Sequence, residues 1–132
     1  GSFESFLTVN GGASNAFTDG EDTVYYFGMD GTDDAQFTEG LKRFSSFFIC
    51  PLFTESATYR EVNAINNEHS KNLQNDVFRL FQLEKAQMNS QHPMSKFFTG
   101  NKETLQENVK KRGIDLRARL IEFYETYSSS NQ

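Results

Sequence analysis

The sequence has 132 residues, 36% of them hydrophobic, with fourteen Phe, five Tyr and no Trp. That length predicts one small domain whose core comes from a few large side chains. A net charge of −5 and a pI near 5.0 argue against a nucleic-acid backbone or an anionic membrane as main partner, since both need clustered Lys and Arg. The longest apolar run, Phe47 to Phe53, is too short to span a bilayer.

Gly1-Ser2 has the look of a scar left by removal of an expression tag. Residues 3–10 read as the end of a helix, stopped by Gly11-Gly12, because glycine tolerates the left-handed backbone. Ala13 to Thr18 is a short extended candidate. Asp19-Gly20-Glu21-Asp22 is a turn signal. Thr23-Val24-Tyr25-Tyr26-Phe27 is β-branched and aromatic, so it predicts a strand that pairs with the first as a hairpin.

From Asp33 the pattern turns helical. Asp33 or Asp34 can cap it, and Phe37, Leu41, Phe44 and Phe48 recur at helical spacing. Pro51 ends this helix. Cys50, just before it, reads as a buried small hydrophobe rather than a nucleophile. As the single cysteine it can form no internal disulfide, which suits the cytoplasm or an organelle matrix.

Thr54 is the expected N-cap of the next helix, with Glu55 in its first turn. No Gly or Pro interrupts Thr54 through Gln91, so the longest helical stretch is expected here. His92-Pro93 stops it and Gly100-Asn101 marks a loop. A short helix is expected within Lys102–Lys111, then a last one near Leu116–Tyr127, with Leu116, Leu120, Phe123 and Tyr124 on one side. Ser128 to Gln132 is a polar tail expected to fray. The fold class is α+β and predominantly helical.

On the long helical stretch, Glu61 and Glu68 are seven residues apart, close to two turns, and so share a side. Val62, Ile65, His69, Leu73 and Leu80 form the adjacent apolar stripe, which makes His69 a core histidine. The acids by themselves read as solvated boundary residues. Asn72 and Asn75 continue their polar edge. Phe78 and Phe81 fall on another side of the helix from Leu73 and Leu80. A surface helix has one apolar face. A second layer packs there, or the helix bends, or the aromatics line a pocket. His69 and His92 make no metal motif alone. The acidic loop Asp30-Gly31-Thr32-Asp33-Asp34 fails the EF-hand pattern, with Ala35 and Leu41 where Gly and Glu belong.

The segments Gly12-Ala13-Ser14-Asn15-Ala16-Phe17-Thr18, Phe47–Phe53, Arg60-Glu61-Val62-Asn63-Ala64, Glu68-His69-Ser70-Lys71-Asn72, Asn75–Lys85 and His92-Pro93…Ser95-Lys96-Phe97 resemble the insulinase zinc metallopeptidases. The resemblance covers nearly the whole chain and leans toward the insulin-degrading branch. It implies that residues 3–132 are part of an N-terminal catalytic domain, with a β-hairpin and the remnant of an antiparallel sheet packed against long helices. It further implies that Glu68 is a third zinc ligand and that Glu61 supports the metal site. Asn15, Ala16 and Phe17 would form a sheet edge that pairs with extended peptide substrate. Phe17, Phe78 and Phe81 would line an aromatic pocket beside the scissile bond.

The family's H-x-x-E-H motif, which supplies two histidine ligands and the general base, is absent from this sequence. In the family it lies a short way before the segment matching Phe3–Asn10. The resemblance therefore implies zinc in a longer parent protein, none in this chain alone, and no activity for the chain alone. Its implied partners are extended peptides and the rest of the parent polypeptide, with neither nucleic acid nor membrane. A bare sheet edge recruits other chains, so self-association is also expected. Two alternatives stay open: a non-catalytic family member serving as a structural or peptide-binding module, and a helical interaction module with a solvated acidic face.

Overall fold

A computed structural model of the chain describes residues 2–20, 22–31 and 33–128. Gly1 of the expected tag scar, Glu21 of the turn, Thr32 of the acidic loop and residues 129–132 of the expected tail lie outside the described residues. The elements are helices and one two-stranded antiparallel sheet, so the α+β, mainly helical class holds. They divide into two units, Gly1–Pro51 and Leu52–Gln132.

In the first unit, helix α1 (Ser2–Val9) stops where glycine was expected to stop it. Gly11 sits at φ 65, and the Gly12 amide donates back to the Leu7 carbonyl at 2.7 Å. That closes the helix end and turns the chain into strand β1 (Ala13–Thr18), which pairs with β2 (Thr23–Gly28) from Ala13 opposite Gly28 to Thr18 opposite Thr23. Helix α2 (Asp34–Ile49) starts from Asp33, whose Oδ1 accepts from the Gln36 amide at 2.8 Å.

Phe3 is the centre of this unit. Its ring lies 5.9 Å from Phe27, 6.1 Å from Phe44 and 5.2 Å from Phe47, centroid to centroid. Leu7 is wholly buried beside it on α1. Gly40 is buried because a Cβ there would come within 2.8 Å of Met29 Sδ. Phe3 alone of these phenylalanines is fully in the core; Phe37, Phe47 and Phe48 pack around it while remaining partly exposed. Cys50 departs from expectation. It caps the end of α2 with φ −145 and ψ 59, outside the helix, and its side chain is exposed.

In the second unit, helix α3 (Glu55–Asn72) opens as expected, with Thr54 Oγ1 accepting from the Ala57 amide at 3.3 Å. The unbroken stretch does not occur. Helix α3 ends at Asn72, and α4 (Asp76–Gln87) begins afresh, because Asn75 takes extended backbone and its Oδ1 accepts from the Val77 amide at 3.0 Å. An asparagine side chain that satisfies a helix-start amide offers the backbone an alternative to continuing the helix. The break resets the helical phase. Val62 stays buried and Ile65 half-buried, but Leu73 and Leu80 are 60% and 59% exposed. The expected stripe therefore holds only along α3.

A 3₁₀ turn (Pro93–Ser95) follows, capped by His92, whose Nδ1 accepts from the Met94 amide at 3.2 Å. The expected short helix contains a π-helical turn (Glu103–Glu107) that runs directly into α5 (Asn108–Lys111). Asp115 then caps α6 (Leu116–Tyr127), and the Tyr124 ring packs at a tilt against Phe53, 5.6 Å between centroids. Leu116 and Tyr124 are half-buried, whereas Leu120 and Phe123 on the same helix are exposed. Among the described residues, no helix is long and apolar enough to cross a membrane.

Candidate functional site

The break at Asn75 decides how the α3–α4 region is used. It starts α4 in a new helical phase, on which Phe78, Phe81 and Lys85 share one face at positions i, i+3 and i+7. Together with His69 at the end of α3 and with Phe97 and Phe98 beyond the 3₁₀ turn, that face lines a cavity of about 500 Å³. Phe78 and Phe81 are 45% and 41% exposed and line this cavity. Of the three arrangements open for the second aromatic face, the chain uses two at once: the helix breaks, and the aromatics line a pocket.

His69 is half-buried at the cavity wall rather than in the core. Its Nδ1 shares a hydrogen bond with Thr99 Oγ1 at 3.3 Å, and its ring meets Phe97 edge-on at 5.4 Å. Asn66, one turn earlier on α3, receives the Lys102 amide on its Oδ1 at 3.0 Å. These two contacts tie the 97–102 segment to α3 and hold the far wall in place.

Lys85 was not singled out from the sequence. Only 2% of it is exposed. Its Nζ lies 3.8 Å from the Phe98 ring centroid and 5.6 Å from that of Phe81. Burial pushes its ammonium below the ordinary value of 10.5, since a charge leaving water favours the neutral form. The signal was present as a lysine in phase with two aromatics, but spacing alone does not separate a snorkelling lysine from a buried one.

Glu61 and Glu68 both project from α3 as exposed side chains, and Glu68 adjoins His69 of the cavity wall. Asn15, Ala16 and Phe17 lie in β1 of the first unit. Asn15 faces Tyr26 and Phe17 faces Val24 across the hairpin. Those pairs occupy the sheet face opposite Phe27, so Phe17 is outside the Phe3 cluster and 53% exposed. The Ala16 amide donates to Asn15 Oδ1 at 2.9 Å.

A catalytic zinc takes three protein ligands. Among the described residues, no three His, Cys, Asp or Glu side chains come together in a way that could hold a metal. Glu68 is the right donor type, but the described residues do not complete a site.

The structure superposes on the crystal structure of pitrilysin with a TM-score of 0.84 at 31% identity, covering 98% of this chain and 13% of that one. The family model for insulinase, peptidase family M16, matches residues 1–91. The chain is 53% identical over 130 residues to bovine (Bos taurus) insulin-degrading enzyme, and 43% identical over 129 residues to the A-factor-processing enzyme of Saccharomyces cerevisiae. Both alignments cover 98% of the chain and 12% of the relative. The chain belongs to the insulinase family, and it spans about an eighth of the length of the curated relatives it matches.

Proposed function

We propose that this chain is part of the N-terminal catalytic domain of an insulinase-type zinc metalloendopeptidase that cleaves peptides bound in extended conformation. The observation that carries the reading is the aromatic cavity of Phe78 and Phe81, opening beside the turn of α3 that bears Glu68. A peptidase needs a side-chain pocket next to the group that holds its metal, and here one helix supplies a wall of the first and a donor for the second. Glu68 is the third zinc ligand of the longer parent protein, and Glu61 orients the site from one step further out. Asn15, Ala16 and Phe17 are the edge along which substrate backbone pairs, a recognition mode that asks little of substrate sequence. Phe17, Phe78 and Phe81 take substrate side chains.

The chain alone contains no H-x-x-E-H. It therefore lacks the general base and two ligands, and hydrolyses nothing by itself. The many exposed large apolar residues, among them Leu52, Val77 and Phe123, support the rest of the parent polypeptide as its principal partner. The proposed location is the cytoplasm or an organelle matrix, where a free cysteine such as exposed Cys50 persists.

The test is Glu68→Gln in the full-length protein. Loss of bound zinc together with peptidase activity is the expected result. Unchanged zinc content and activity would refute the ligand assignment.

A further inference from the structure

We propose that the cavity formed by α3, α4 and the 97–99 segment selects peptides that carry a carboxylate beside a bulky apolar side chain, and that Lys85 is the residue that selects it. This deepens the peptide-binding reading above and rests on it. The lining is mostly apolar and aromatic. Its charged or chargeable members are Lys85, Arg79 and His69, and no Asp or Glu lines it, in a chain whose net charge is −5. Arg79 is already paired with Asp76 at 3.1 Å on its own helix.

Lys85 forms no ion pair and no hydrogen bond among the described residues; its only close polar partners are the faces of Phe98 and Phe81. Ring faces offset only part of the cost of taking an ammonium out of water. Among the described residues no fully buried polar side-chain atom lacks a partner, so Nζ keeps access to the open cavity. A buried cation that opens only onto an acid-free aromatic cavity is complementary to an anion with an apolar body. On a peptide, that is an Asp or Glu next to an aromatic or large aliphatic residue.

The test is calorimetric titration of the chain with two blocked alanine-rich peptides, one with Phe-Glu at its centre and the other with Phe-Gln. The Glu peptide is expected to bind about tenfold more tightly, the scale of one charge-assisted hydrogen bond. Lys85→Met should abolish the difference, and Lys85→Arg should retain part of it. Should Lys85→Met fail to fold, the wild-type chain still decides the matter: the Hε resonances of Lys85 must move with the Glu peptide and stay with the Gln peptide. Equal affinity for both peptides overturns the carboxylate preference and leaves the peptide reading standing. Binding of neither peptide overturns both. Phenylpropionate bound as tightly as the Glu peptide would overturn the peptide assignment and identify a site for small organic anions.

Discussion

The ammonium of Lys85 lies 3.8 Å from the centroid of Phe98, on a side chain that is almost wholly buried. The arrangement couples the stability of the second unit to the protonation of one lysine. Burial lowers its folded-state value below 10.5, so the charged form is disfavoured by folding. Below the folded value the lysine is charged in both states and folding carries the desolvation cost. Between the folded value and 10.5 the unfolded chain binds more protons, and stability from this group rises with pH. Lys85→Met, which keeps the aliphatic stem and drops the charge, should therefore melt higher than wild type at neutral pH. That advantage should shrink as pH approaches 10.5. Paired thermal melts across alkaline pH measure it; an advantage that does not change with pH would remove burial of the charge as its cause. Arg79 and His69 also face this cavity, and any repulsion of the Lys85 ammonium by them adds to the cost that Lys85→Met removes.

Gly12 is held by close approach rather than by backbone sign. A Cβ there would lie 2.4 Å from the carbonyl oxygen of Gly28, at the open end of the hairpin. Backbone cannot yield as a flexible side chain can, so Gly12→Ala should destabilise the first unit by about 1–3 kcal/mol, the range for overpacking. Gly28→Ala meets nothing within 4 Å and serves as the control. Denaturant melts of the two variants should separate clearly.

The α3–α4 break rests on Asn75. Removing its side chain in Asn75→Ala leaves the Val77 amide without its cap and should cost about 1 kcal/mol. Hydrogen exchange should accelerate at residues 76–78 more than within α3. Unchanged protection there would mean that packing, not the cap, holds the break.

The sheet has two strands, and β1 keeps its outer edge unpaired among the described residues. The chain should therefore self-associate at tens of micromolar, as seen by sedimentation. Because Asn15 Oδ1 occupies the Ala16 amide, Asn15→Ala should expose one more donor and shift association to lower concentration. A monodisperse monomer for both proteins would count against edge pairing as the way this chain meets peptides.

In the full-length protein, Glu61→Gln should weaken zinc binding about 10–100-fold, the cost of disturbing a group that supports a ligand. Glu68→Gln should cost more than that. Metal analysis of both variants separates ligand from supporter, and the reverse order would exchange the two roles.

Much of this protein was legible in its residues, because the signals were local. The helix caps at Asp33 and Thr54, the glycine stop at Gly11-Gly12 and the pairing of the two strands all follow from how side chains and glycine satisfy nearby backbone. Phe78 and Phe81 do line a cavity, but their phase relative to Leu73 and Leu80 presupposes a continuous helix, which the break at Asn75 removes. Three features needed the tertiary structure. Asn75 breaks a helix that composition allowed to continue, since capping competes with propagation by a small margin. Cys50, in an apolar run, is exposed because α2 ends just before it. The burial of Lys85 depends on Phe98, thirteen residues away, folding back over it. Backbone capping is decided within a turn of the chain. Burial is decided by which distant segment arrives, and that alone distinguishes a solvated lysine from one that opens into a cavity.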